Sequence, residues 1–440
     1  MRNLYRGFVF LLMLALFALP LGMAEAPQNV AGNHYTLDRM VILSRHDIRS
    51  PLSGGGSMLG NITPHEWFNW TSAPGELSLR GGVLETMMGQ YFRKWLEKEG
   101  LFPENYRPAD GEVRFYANSK QRTLATAHYF SAGLLPVVNV TVENHAEYDT
   151  MDPTFTPKLT FLSEDYEKAV QEQIAEKGGV AGIRGIHAGL MDALSLLMEV
   201  TDMEDTEFYQ SGKCGDLLND ETTVVLEVGS EPTLTGPIRI GTSVADALTL
   251  QYYEEADEKA AAFGHELTME DWQKLHNIVD TYSDILFCTP LLAVNVAHPL
   301  LMELRSEFEA EGRRFTFLCG HDSNLASVLA ALGVEDYMLP DTVEQHTPIG
   351  SKLVFERWLD ENGGAWYAVK LVYQNTEGLR AMTPMSLENP PVAYPLSFEN
   401  VEVNADGMIA EAYLFAMFDR AISAYDDLMA QYGAVIDEAA

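Results

Sequence analysis

Val41-Ile42-Leu43-Ser44-Arg45-His46-Asp47-Ile48-Arg49-Ser50-Pro51 is the stretch on which the reading of this 440-residue chain turns. Met40 through Leu43 is a short apolar run with two β-branched residues, the pattern of a buried strand. At its C-terminal end the polarity switches abruptly to Arg45, His46 and Arg49. Pro51 and the Gly-rich run Ser53–Ser57 then forbid an orderly continuation. An imidazole flanked by two guanidiniums is what attack on a phosphate requires. The arginines offer rigid forks of donors to phosphate oxygens, and the histidine offers a neutral nucleophilic nitrogen. Taken alone, the same residues fit a strand that ends in a solvated basic loop equally well.

Two other stretches share the construction. Val113-Arg114-Phe115-Tyr116-Ala117 predicts a strand, Asn118-Ser119 a cap, and Lys120–Leu135 a helix with Leu124, Ala127, Phe130 and Ala132 inward. Arg122 falls in the first turn of that helix, where its charge opposes the helix dipole unless a bound anion lies beside it. Phe315 to Cys319 is again an apolar run, and it ends at Gly320-His321-Asp322-Ser323-Asn324. A helix over Leu325–Leu332 follows, with Gly333 placed to end it. In an open α/β sheet, ligands sit at the C-terminal ends of strands, so the three clusters can converge. The converged set is Arg45, His46, Arg49, Arg122, His321 and Asp322, a cradle for a phosphoryl group. A metal site is the weaker reading. No third His, Cys or carboxylate stands at ligand spacing, and guanidiniums do not belong among metal ligands.

The remainder of the chain frames this set. Arg2 and Arg6, the apolar run Phe8 to Leu21 and the small residues around Ala24 predict an export signal over residues 1–24 and an exported product. The α/β domain is expected over 25–155 and 291–440. A mainly helical domain is expected to be inserted at 156–290, where helical periodicity covers Tyr166–Lys177, Leu190–Val200, Val244–Ala256 and Trp272–Leu286. Within it, Gly229 to Pro237 predicts a loop shaped by Pro232 and Pro237. Ser351–Trp358 and Trp366–Tyr373 predict a hairpin, and Met408 to Gly433 a last helix. The formal charge of −35 argues against nucleic acid or an anionic membrane as partner. An anionic ligand must therefore be held by a local basic pocket. Of the three cysteines, Cys288 and Cys319 sit in apolar runs and are expected to be buried thiols.

The pattern as a whole resembles the histidine acid phosphatases, whose signatures are R-H-G-x-R-x-P near the N-terminus and a later H-D. Tyr116-Ala117-Asn118-Ser119, Gln121-Arg122-Thr123, Met151 to Phe155, Leu250 to Tyr253 and Gly320 to Asn324 look most similar to the bacterial periplasmic glucose-1-phosphatase group, and less so to the periplasmic phytases. The resemblance implies an α/β fold with a central mixed sheet, flanking helices and an inserted helical domain. It implies His46 as nucleophile, Asp322 as proton donor, and Arg45, Arg49, Arg122 and His321 as binders of the phosphoryl oxygens. It also matches Glu231 to a substrate-facing glutamate. The substrate would be a small phosphate ester, with no metal or other cofactor and no membrane partner once the signal is removed. The oligomeric state is left open. Glucose 1-phosphate is the first expectation, phytate the second, and a phosphate-binding relative without turnover the third. Asp47 stands where the broad family has Gly, which puts a carboxylate beside the nucleophile.

Overall fold

The computed structural model describes residues 34–52 and 58–433. The export signal and the Gly-rich run 53–57 lie outside the described residues. In chain order the strands are β1 (Thr36–Arg45), β2 (Val113–Ala117), β3 (Val142–Glu143), β4 (Thr223–Val225), β5 (Thr233–Thr235), β6 (Phe315–Gly320), β7 (Lys352–Leu359), β8 (Ala365–Tyr373), β9 (Val392–Pro395) and β10 (Ile409–Ala410). The helices begin with α1 (Leu79–Lys98) and α2 (Gln121–Leu134). Then come α3 (Glu164–Lys177), α4 (Ile183–Gly189), α5 (Met191–Val200), α6 (Glu207–Gln210), α7 (Pro237–Glu254), α8 (Glu258–Ala261) and α9 (Met269–Phe287). The last four are α10 (Pro290–Glu309), α11 (Asp322–Ala331), α12 (Thr376–Ala381) and α13 (Glu411–Tyr432).

The main sheet is mixed, as the family resemblance implied. Its order is β10-β8-β7-β1-β6-β2-β3, with β9 beside β8, while β4 and β5 form a separate hairpin. β1, β6, β2 and β3 run parallel, and β7 joins β1 antiparallel. β1 and β6 are apolar on both faces because both faces are covered. Val41, Leu43 and Leu318 pack with residues of α10, α11 and α13. Met40, Ile42, Phe315 and Phe317 pack with residues of α1 and α2. Between 156 and 290 the chain supplies α3 to α9 and the hairpin, and no strand of the main sheet. The apolar core of these helices takes in Ile48, Val343 and Ile349 as well, so the helical layer lies against the loop that follows β1.

Several local readings need correction. The expected cap at Asn118-Ser119 does not form: α2 starts at Gln121, and Lys120 caps it without a side-chain hydrogen bond. Asn118 is engaged elsewhere, accepting from the Asp152 amide at 2.8 Å, and Ser119 Oγ accepts from the Ala146 amide at 3.2 Å. Ala132 is exposed, while Thr126 and Gly133 face inward. The stretch from Gly229 is not all loop. Thr233–Thr235 is a strand, and Pro237 opens α7, where its missing N–H would have had no helical partner anyway. The helix after β6 starts at Asp322 rather than Leu325. The three cysteines are free, with Cys214 and Cys319 buried and Cys288 half-buried.

α1 and α2 cross at glycines. A Cβ on Gly89 would lie 2.2 Å from the Phe130 carbonyl oxygen, and one on Gly133 would lie 2.2 Å from that of Thr86. Gly133→Ala should therefore push apart the pair that presents Arg122, with a cost of about 1–3 kcal/mol, the usual range for overpacking. Denaturant unfolding measures it, and an unchanged midpoint would show that the crossing is not tight.

Candidate active site

The backbone register sets the geometry. Ser44 pairs with Cys319, and Ala117 pairs with Cys319 on the other side, so β1, β6 and β2 end at one level. His46, His321 and Asn118 each follow one of these ends. The imidazoles of His46 and His321 lie edge to face, with centroids 5.4 Å apart. His46 Nδ1 lies 2.9 Å from the Asp47 carbonyl oxygen. A carbonyl only accepts, so Nδ1 carries the proton and Nε2 presents its lone pair. Burial, reinforced by Arg122, His321, Arg49 and Arg45, pushes the His46 pKa well below the ordinary 6.5. The His46 imidazole thus stays neutral at pH values where an exposed histidine takes up its proton.

His321 is fixed from the other side. The Asn118 amide donates to its Nε2 at 2.6 Å, which leaves the proton on Nδ1. Arg122 Nη2 stands 3.4 Å from that same Nδ1. Two donors facing each other have no use for one another; both need an acceptor between them. The Nε–H groups of Arg45, Arg49 and Arg122 are likewise buried without an acceptor among the described residues. Burial and the neighbouring Arg49 depress the Arg122 guanidinium to about 10, so it remains cationic. This concentration of unmatched donors fits a tetrahedral oxyanion.

A cavity of about 450 Å³ opens over the strand ends. His46, Arg49, Arg122, His321, Asp322 and Glu231 line it. Arg45 does not; it lies one layer behind. Its guanidinium pairs with Asp322 at 3.2 Å and with Glu344 at 2.5 Å. Burial alone would push the Asp322 carboxyl up, but Arg45, His321 and the Ser323 amide outweigh it and hold the group at about 2. Glu231 stands across the cavity, in the segment before β5. Crowding at the mouth, then the Asp322 charge, pushes its carboxyl up to about 7, although its remaining exposure to water moderates that push.

Sequence reasoning missed the groups that hold the cradle. Asp246 of α7 places both carboxylate oxygens 3.2 Å from Arg49 Nη2. Glu344 accepts from Arg45, from Tyr253 at 3.0 Å and from the Ile349 amide at 2.7 Å. Arg239 lines the far wall with Tyr282, its guanidinium 5.8 Å from the ring centroid. Asn118 was visible as the residue after an apolar run, but was assigned to a cap.

Residues 36–176 and 242–374 match the family described as the histidine phosphatase superfamily (branch 2). The chain is 35% identical over 377 residues to a glucose-1-phosphatase of Providencia rettgeri, covering 84% of this chain and 88% of that one. A glucose-1-phosphatase of Salmonella typhimurium is 36% identical, covering 85% and 89%. The apo structure of a Hafnia alvei phytase superposes with a TM-score of 0.80 at 25% identity, over 90% of this chain and 98% of that one.

Burial, with Arg122 next, also lowers the His321 pKa well below 6.5. Both imidazoles should therefore remain neutral at mildly acidic pH, where an exposed histidine takes its proton. The unfolded chain takes up those protons near the ordinary value, so these two groups favour unfolding progressively as pH falls below 6.5. Nitrogen NMR of the histidines, assigned with His46→Ala and His321→Ala, checks this. Titration of His46 at the ordinary value would contradict it.

Proposed function

The chain belongs to the histidine phosphatase superfamily, branch 2, and on that footing we propose that it hydrolyses sugar phosphate monoesters, glucose 1-phosphate foremost, through a phosphohistidine at His46. That it is a histidine acid phosphatase acting on phosphate esters follows from the family and from the glucose-1-phosphatase relatives. The observation that carries the finer reading is the convergence of the free Nε2 of His46 with donors that lack protein acceptors. His46 Nε2 attacks phosphorus as the bond to the sugar oxygen breaks. Arg49, Arg122 and His321 donate to the non-bridging oxygens and stabilise their growing charge. Arg45 reinforces that field from behind and orients Asp322. Asp322 protonates the departing oxygen, then removes a proton from the water that attacks the phosphohistidine, releasing phosphate.

An Asp322 ionised in the free protein must receive its proton with the substrate. A phosphate monoester monoanion brings one, and the arriving negative charge raises the carboxylate's affinity for it. This ties turnover to acidic pH, where His46 is still neutral. Glu231 accepts hydrogen bonds from sugar hydroxyls in either protonation state. Its raised pKa leaves it mostly neutral in acid, so it repels further phosphates, and sets glucose 1-phosphate above phytate, as pH rises towards 7. The likeness to a phytase fold favours the second reading, phytate hydrolysis, with Arg239 as an additional anion partner in the cavity. Export to the periplasm belongs to the same proposal and rests on the N-terminal signal pattern.

The leaving group tests the acid. A sugar phosphate expels a basic alkoxide, whereas p-nitrophenolate spreads its charge into the ring. Asp322→Ala should lose on the order of 10²–10⁴-fold on glucose 1-phosphate and far less on p-nitrophenyl phosphate. His46→Ala should lose both alike. Equal losses for Asp322→Ala without a phosphoenzyme burst would remove it from the acid role.

Substrate choice tests the mouth of the cavity. Near pH 7, where the carboxyl ionises, Glu231→Ala should raise kcat/KM for phytate relative to glucose 1-phosphate, by roughly tenfold as one like-charge repulsion is relieved, and by less in acid. An unchanged ratio would reduce Glu231 to a surface carboxylate.

A further inference from the structure

Beneath the nucleophile lies a second, closed cluster of charge. Asp47, Glu85 and Lys352 are 6%, 0% and 0% exposed, and none of them lines the cavity. The Lys352 ammonium donates to Glu85 Oε2 at 3.0 Å and to the Gly350 carbonyl at 2.7 Å. The Asp47 carboxylate accepts from the Ile48 amide at 2.7 Å and faces the Glu85 carboxylate within hydrogen-bonding range. Glu85 Oε1, also buried, lies 3.0 Å from the same ammonium as an ion pair but without hydrogen-bond geometry. The loop is built around this carboxyl pair. Gly350, at φ +67°, comes so near that a Cβ there would stand 2.6 Å from Asp47 Oδ2. Its amide also donates to the His46 carbonyl at 3.0 Å.

Were both carboxyls ionised, two negative charges against one ammonium would leave a net buried negative charge, and two groups that can only accept would face each other. One proton cures both defects. We propose that Asp47 and Glu85 share one proton beside the Lys352 ammonium, and that this proton keeps the floor under His46 electrically neutral. Asp47 is thereby a positioning residue: its carbonyl holds His46 Nδ1, while its side chain is locked by the shared proton. Burial pushes Glu85 up to about 8 and raises Asp47 too, with Lys352 opposing both. The other charged groups around the pair are already engaged. Glu254 of α7 is 3.4 Å from Arg80, Glu344 is occupied by Arg45, and His46 stays neutral. Cys319 of β6 is a buried thiol whose pKa burial raises. The proton is thus lost on the alkaline side, and its loss places a negative charge behind the phosphoryl cradle.

Asp47→Asn and Glu85→Gln each replace the shared proton with a permanent amide N–H of the same shape. Infrared spectra of the whole protein at neutral pH should show a protonated-carboxyl band that both variants lack. The inhibition constants of inorganic phosphate for wild type and Asp47→Asn should then be compared across pH. Their ratio should be flat while the band persists and worsen for wild type by roughly tenfold as it disappears. The ionisation of phosphate itself cancels in that ratio. Thermal unfolding of both variants guards against misfolding, and Glu85→Gln takes over the comparison if Asp47→Asn does not fold. Spectra identical to wild type in this region would overturn the shared proton. A band that is lost in the variants with a ratio flat throughout would overturn its effect on the site. The inhibition arm rests on the phosphatase reading; the infrared arm does not, so the two failures are distinguishable.

Discussion

Backbone pairing from Met40↔Phe315 to Arg45↔Gly320 holds β1 against β6, and pairing from Val113↔Phe315 to Ala117↔Cys319 holds β2 on the other side. Because side chains alternate along strands, a slip of one residue would turn the apolar set of β1 from one covered face to the other. Both faces are buried, so the register is enforced by packing along the whole strand. The polar residues that follow the strand ends inherit that register. Their convergence follows from hydrophobic packing some distance away, and the site is as rigid as the sheet.

Electrostatics imposes the next requirement. A chain with a formal charge of −35 must hold an anion in a pocket of concentrated positive charge. The cations are not left to repel one another freely. Arg45 is clamped between Asp322 and Glu344, and Arg49 is held by Asp246. Arg122 donates to the Gly75 carbonyl at 3.4 Å, and burial, then Arg49, lowers its pKa. Fixed donors of this kind need little reorganisation when charge develops on a transferring phosphoryl group.

Much of this arrangement was legible in the chain, and the reason is local. At residues 41–51, 113–122 and 315–322, apolar runs abut polar clusters, and the doubly covered strands made those runs easy to see. The β7–β8 hairpin announced itself through alternation and turn residues, whereas the mixed sheet was implied only by the family resemblance. Asp246 and Glu344 were hidden because their partners are remote in sequence, and nothing local marks a carboxylate that will meet an arginine. Asn118-Ser119 looked like a cap because such residues usually are. In the fold, the pull of Asp152 and His321 on the Asn118 side chain wins over the helix end. Ala132 failed for a similar reason. Helical spacing gave the periodicity, while the glycine crossing with α1 rotated the buried face towards Gly133 and Thr126.

The grip of Asp246 on Arg49 also bears on how the pocket empties. Asp246 belongs to α7 and lines the cavity, so its carboxylate occupies part of the space in which an incoming oxyanion seeks Arg49. Each ligand must displace an internal counter-ion that is tethered to the chain and never diffuses away. Such a competitor weakens ground-state affinity for every anion, inorganic phosphate included. In the reaction proposed above, product would then face a rival at the moment the ester bond is gone, and the fold itself would hasten its release.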